Sequence, residues 1–152
     1  MNRLFKEQIL VANGVNLDLL GKREAHIYGG ASLRDLEKAL SEYNQKIAGL
    51  YKSDFDLCFF QTNCESELLE KLTEQSWKAM IINPGAWTHT SLALADRLAA
   101  IDFPFIEVHL SNLSLRESFR QKSFSAKHAC GVIYGLGVDS YLAALAALYQ
   151  QL

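Results

Sequence analysis

The sequence predicts an α/β fold: a five-stranded parallel sheet, order 2-1-3-4-5, covered by helices on both faces. Two observations carry this reading. Short apolar runs alternate with longer amphipathic segments, and only two prolines, Pro84 and Pro104, interrupt the pattern. Strands that alternate with helices pair in parallel through helical crossovers, which leave both sheet faces buried. At this size the flavodoxin-like strand order is the common solution.

Each element has its own signal. Gln8–Ala12 (QILVA) reads as a buried strand. Ser32–Leu50 reads as a helix, because Leu33, Leu36, Leu40, Tyr43 and Ile47 recur at helical spacing. Ser32 can cap it, with Asp35 three residues on. Asp56–Gln61 is the second strand, and Glu65–Trp77 a second amphipathic helix through Leu68, Leu69 and Leu72. Lys78–Ile82 is the third strand, ended by the Asn83-Pro84-Gly85 turn signal. Ser91–Ala100 is a helix, Phe105–Leu110 a strand, and a short helical piece is expected around Leu115–Arg120. Gly131–Tyr134 is the fifth strand and Val138–Gln151 the closing helix.

Composition narrows the function classes. A chain of 152 residues, 49% hydrophobic and 21% charged, is expected to form one domain, 1–152, with a full core. The formal net charge of −2 gives no bulk attraction for nucleic acid or an anionic membrane. Cys58, Cys64 and Cys130 show no ligand-pair spacing, so free thiols and no metal are expected. The apolar runs are too short for a secretory leader or a membrane span. A cytoplasmic protein is the expectation.

One connection breaks the economy of the pattern. About nineteen residues, Asn13 to Ala31, join a strand to a helix where roughly 2–6 normally suffice. Long loops at the ligand end of such a sheet commonly bind or cover a substrate. Polar residues also gather after three strands. Asn13, Asn16, Arg23 and Tyr28 follow the first; Asn83, Gly85, Thr88 and His89 follow the third. His109, Ser111, Asn112, Arg116 and Arg120 end or follow the fourth. Guanidinium, imidazole, phenol and amide groups at one sheet edge suit a small oxygen-rich anion and proton transfer. Each also has a plainer reading: His109 as a hydrogen-bonded core residue, His89 as a helix-start residue, Arg116 and Arg120 as a solvated helical face. Gly135-Leu136-Gly137 lacks the remaining positions of a nucleotide-binding motif.

Five segments taken in order carry a resemblance. NGVNLDLLGKREAHIYGG, FFQTNCESEL, INPGAWTHTSLALAD, EVHLSNLSLRESFRQKS and GVIYGLGVDSYLAAL resemble the successive motifs of the type II 3-dehydroquinases and together cover nearly the whole chain. The resemblance implies a flavodoxin-like fold, no cofactor or metal, and dehydration of 3-dehydroquinate in the shikimate route or quinate breakdown. It also implies a homododecamer built from trimers. Tyr28 would remove the substrate C2 proton, with Arg23 stabilising the phenolate, Asn16 holding a water at the enolate oxygen, and His109 protonating the departing C1 hydroxyl. Asn83, His89, Leu110, Ser111 and Arg120 would bind substrate, with Asp96 reaching in from a neighbouring subunit. Glu107 would orient His109, Arg116 would support the loop, and Gly85 would shape the turn. Val15 and Ala25 stand where the family has proline, and Cys64, Ser66 and Trp87 also depart from its pattern. Two readings of other classes compete: a flavodoxin-like module for a flavin or nucleotide, and a non-catalytic relative that senses a quinate-like acid. The Arg23, Tyr28 and His109 set argues against both.

Overall fold

The computed structural model describes residues 6–22 and 30–152. Five strands occupy them: β1 Gln8–Asn13, β2 Asp56–Gln61, β3 Ala79–Asn83, β4 Phe105–His109 and β5 Gly131–Tyr134. The helices are α1 Leu33–Tyr51, α2 Glu65–Leu72, α3 Leu92–Ala100 and α4 Asp139–Gln151. All strand pairs are parallel and the order is β2-β1-β3-β4-β5, as expected from the alternating pattern.

The period of two along each strand divides the core into two layers. Ile9, Val11, Ala79, Ile81, Ile106 and Val108 face α1 and α4, where Leu36, Leu40, Leu145 and Leu148 complete one cluster. Leu10, Ala12, Met80, Ile82 and Phe105 face α2 and α3, meeting Leu68, Leu72, Leu94 and Leu98. Pairing in register sets Asn13 beside both Gln61 and Asn83. Three amide side chains therefore line up at the carboxyl ends of the central strands.

Ser32 caps α1 as expected: its hydroxyl accepts from the Asp35 N–H, while Asp35 reaches back to the Ser32 N–H at 2.8 Å. Two expectations are corrected. The second helix ends at Leu72, five residues before Trp77, because Thr73 and Glu74 turn back onto the carbonyls of Glu70 and Lys71. Trp77 is instead buried in the α2–α3 layer, its indole N–H donating to the Lys71 carbonyl at 3.2 Å. Residues 115–120 do not form one helix. Two 3-10 turns, Leu113–Leu115 and Ser118–Arg120, flank an extended Arg116-Glu117 pair. Local side chains divert the backbone there. Asn112 Oδ1 accepts from the Ser114 N–H, and the Gln121 amide donates to the Ser114 and Arg116 carbonyls.

Away from the sheet edge, one polar contact ties three segments together. Buried Asn44 on α1 donates to the Phe55 carbonyl at 2.8 Å and accepts from the Tyr149 hydroxyl of α4 at 2.7 Å. Asn44→Ala should destabilise the fold by about 1–3 kcal/mol, since it orphans a buried donor and acceptor. Ser32→Ala should cost about 1 kcal/mol by removing a helix cap. Denaturant unfolding checks both, and the expected order is reversed if Ser32→Ala proves the more damaging.

Candidate active site

Strand order reverses between β1 and β3, so their following loops part and leave a crevice at the carboxyl edge of the sheet. A cleft of about 300 Å³ occupies that place. Val15, Asn16, Leu17 and Leu20 line it from the β1 side; Asn83, Gly85, Ala86 and His89 come from β3. His109, Leu110 and Ser111 come from the end of β4, and Arg116, Glu117 and Arg120 from the turns beyond. Gly85 shapes the seam between the first two loops. It adopts φ +63°, and a Cβ there would lie 2.6 Å from the Val15 carbonyl oxygen. Only glycine meets both conditions.

Glu107 and His109 share a face of β4, being two residues apart. Glu107 is fully buried, and its Oε1 lies 2.8 Å from His109 Nε2. Its Oε2 accepts from the hydroxyls of Ser123, at 3.1 Å, and Ser125. Burial pushes this carboxyl up, but the hydrogen bonds from His109, Ser125 and Ser123 outweigh it and hold it below the usual glutamate range. An ionised carboxylate only accepts, so His109 Nε2 carries a hydrogen toward it. That leaves Nδ1 as the ring nitrogen able to exchange a proton elsewhere.

His89 stacks beside this pair, its ring 6.4 Å from that of His109. Its Nδ1 donates to the Lys122 carbonyl at 2.7 Å, which sets Nε2 as the free acceptor of the neutral ring. Burial is the main force pushing the His89 pKa down, and the charges of His109 and Arg120 act the same way; the Lys122 carbonyl opposes them. Arg116 lies 3.4 Å from both the Ser111 hydroxyl and Glu117 Oε2. Arg120 Nε is 3.4 Å from the same Glu117 oxygen, but buried and without hydrogen-bond alignment. Arg116 and Arg120 thus set two guanidinium groups beside Glu117 on the cleft wall. Asn16 stands at φ 67°, with its N–H held by Asn63 Oδ1 at 2.7 Å. Asn63 also donates to Asp18, so the turn after β2 grips the turn after β1.

The fold thus brings Asn16, Asn83, Gly85, His89, His109, Leu110, Ser111, Arg116 and Arg120 to one cleft. Glu107 supports it from behind. Asp96 is elsewhere, exposed on α3. Arg23 and Tyr28 lie outside the described residues. His89 and His109 both line the cleft, and Ser91 caps α3, accepting the Leu94 N–H at 2.8 Å. Reading residues along the chain overlooked Ser123, Ser125, Glu117 and Tyr141. A glutamate inside FIEVHL signals that buried donors must exist, because an unpaired charge there is untenable. Nothing in the spacing says which residues supply them.

A family model described as "Dehydroquinase class II" matches residues 7–149. A 3-dehydroquinate dehydratase of Francisella philomiragia is 46% identical over 137 residues, 90% of each chain. The catabolic 3-dehydroquinase 1 of Fusarium vanettenii is 44% identical over 135 residues, 88% of this chain and 90% of its own. Among solved structures, the type II dehydroquinase of Butyrivibrio crossotus superposes with TM-score 0.87 at 35% identity, covering 94% of this chain and 97% of the other. With its strand order, its cleft and a match along nearly its whole length, this chain belongs to the class II dehydroquinase family.

Proposed function

We propose that the protein dehydrates 3-dehydroquinate to 3-dehydroshikimate by trans-elimination through an enolate, serving the shikimate route or quinate breakdown. The observation that carries this reading is His109, held by the buried Glu107 at the wall of a cleft furnished with amides, a second histidine and two arginines. A hydroxy acid needs that furniture: a cationic grip for its carboxylate, directional partners for its hydroxyls, and an acid for the leaving oxygen.

The residue roles follow the chemistry. Tyr28, as phenolate, takes the C2 proton, and the electron pair passes to the C3 carbonyl oxygen as an enolate. A tyrosine of ordinary pKa near 10 is a weak base at pH 7, and the neighbouring positive charge assigned to Arg23 favours its phenolate. Arginine suits this place because it does not lose its own proton. Asn16 holds a water against the enolate oxygen. The enolate then collapses, the C1–O bond breaks, and His109 gives the departing hydroxyl a proton so that it leaves as water. Glu107 orients His109 through Nε2, leaving Nδ1 to deliver the proton. Asn83, His89, Leu110, Ser111 and Arg120 hold the substrate, Arg116 supports the long loop after β1, and Gly85 keeps the β3 turn open. Nothing in this route calls for a cofactor or an imine.

A cytoplasmic homododecamer built from trimers is the assembly we favour, with Asp96 of one subunit serving the cleft of the next. The exposure of Asp96 on α3, away from its own cleft, supports this. Light scattering at assay concentration should find a trimer or a multiple of it; an active monomer would exclude shared sites.

Addition of 3-dehydroquinate should raise enone absorbance, without loss of activity on chelation or on borohydride treatment with substrate. Tyr28→Phe should lower turnover by about 10²–10⁴-fold in a protein that still folds. His109→Ala should also slow turnover yet permit deuterium exchange at C2, because the enolate precedes loss of the hydroxyl. A folded Tyr28→Phe variant with near wild-type turnover would show that another group is the base.

Glu107 also predicts an acid limit to stability. Its folded pKa lies below the ordinary 4.5, so its stabilising contribution is complete above that pH and is lost as pH falls through the lower folded value. A melting-temperature series on the acid side should show this limb, and Glu107→Gln should flatten it. Turnover of that variant at neutral pH should fall by roughly 10²-fold, because an amide cannot accept from all three donors and so no longer holds the His109 ring in place. Unchanged pH dependence would contradict the assignment.

A further inference from the structure

Beneath the cleft lies a hydrogen-bonded chain of which the proposed reaction uses only Asn83. Tyr141 of α4 has no exposed surface. Its hydroxyl is 2.6 Å from Asn13 Oδ1 at the end of β1 and 2.9 Å from Asn83 Nδ2 at the end of β3. Asn83 Oδ1 in turn accepts from the Gly85 backbone N–H at 3.1 Å.

The direction of this chain is set at one end. An asparagine amide can turn over, exchanging oxygen for nitrogen with almost no change of shape. A peptide N–H, by contrast, can only donate. Gly85 therefore requires the Asn83 oxygen, which leaves Asn83 Nδ2 facing the phenol. The phenol oxygen accepts there, and its single proton is left for Asn13. Turning the Asn83 amide over would set two donors against each other at Gly85. Burial pushes the Tyr141 pKa far above its usual value, so the hydroxyl stays protonated and the chain keeps its direction across the working range. The Asn83 amide has a second Nδ2 hydrogen that this chain does not use, and Asn83 lines the cleft.

We infer that Tyr141 is a positioning residue: its hydroxyl, accepting from Nδ2, holds in place the Asn83 amide that Gly85 orients, so that the second Nδ2 hydrogen is presented to a substrate oxygen. This rests on Asn83 being a substrate-binding residue of the reaction proposed above. Without the hydroxyl, the Asn83 amide loses its inner acceptor and shifts from the place where its second N–H meets the substrate. The cost falls on substrate binding in the ground and transition states alike, which raises KM and leaves kcat nearly unchanged.

The test is a double-mutant cycle read in KM and kcat. Tyr141→Phe removes only the hydroxyl and should raise KM by roughly tenfold with kcat within about twofold. In an Asn83→Ala background the same change should add nothing further to KM, since the group it acts through is gone. A residue that merely supports the fold would lower the melting temperature equally in both backgrounds and leave KM unmoved. If Tyr141→Phe does not fold, Asn13→Ala, which removes the acceptor of the phenol proton, is taken through the same cycle with the same expectations. A wild-type KM in the folded single variant, or an effect that adds to that of Asn83→Ala, overturns the inference. Those outcomes leave the dehydratase reading standing, whereas wild-type protein that fails to turn over 3-dehydroquinate removes both.

Discussion

A carboxylate with no access to solvent, set in the middle of a five-residue strand, constrains everything around it. Glu107 alternates with Ile106 and Val108, so the pleat turns it away from the α1–α4 layer and toward the other face. Charge in that position is tolerable only with several donors in place. Three are supplied: the His109 ring from the same strand, and the hydroxyls of Ser123 and Ser125 from the connection to β5. The segment between β4 and β5 must therefore return across the strand end before pairing. That return carries the Arg116 to Arg120 turns over the cleft and sets the Lys122 carbonyl against His89. One buried charge thereby organises His109, its neighbouring histidine and the cationic rim.

The sheet supplies the second constraint. Its order reverses beside β1, and in-register pairing brings Asn13 and Asn83 to the same level at the reversal. Neither amide can be left without partners so close to the core. Tyr141 reaches up from α4 to satisfy both, while Gly85 closes the remaining carbonyl. The floor of the cleft is thus polar and held by its own hydrogen bonds, a rigid surface against which a ligand meets fixed donors. Family membership and this construction agree: the family's motifs fall on the ends of β1, β3 and β4, where the fold parts its loops.

Among the described departures from the family pattern, Val15 lines the cleft, while Cys64, Ser66 and Trp87 lie outside its lining. Val15 stands where the family has proline, yet its carbonyl is the surface against which Gly85 packs. Trp87 packs with the α2–α3 layer, where its ring adds to the apolar support of the β3 turn. Cys64 precedes α2 and contacts the Ser66 hydroxyl at 3.2 Å.

The sequence by itself determined the architecture. Buried parallel strands read as β-rich apolar runs, crossover helices as amphipathic stripes, and their alternation leaves little choice of topology. It also determined most of the cleft, because polar residues directly after strand ends can only gather at one sheet edge: Asn16, Asn83, His89, His109 and Arg120 were legible for that reason. Tertiary structure decided where local competition overrode periodicity, ending α2 at Leu72 and breaking residues 115–120 into turns held by Asn112 and Gln121. It alone decided which hydroxyls serve Glu107, and that a tyrosine 128 residues from Asn13 orders the amides of the floor. The reason is physical. Hydrophobic burial follows local period and can be read along a chain, whereas a directional hydrogen bond between distant residues exists only once the backbone has placed donor and acceptor within about 3 Å of each other.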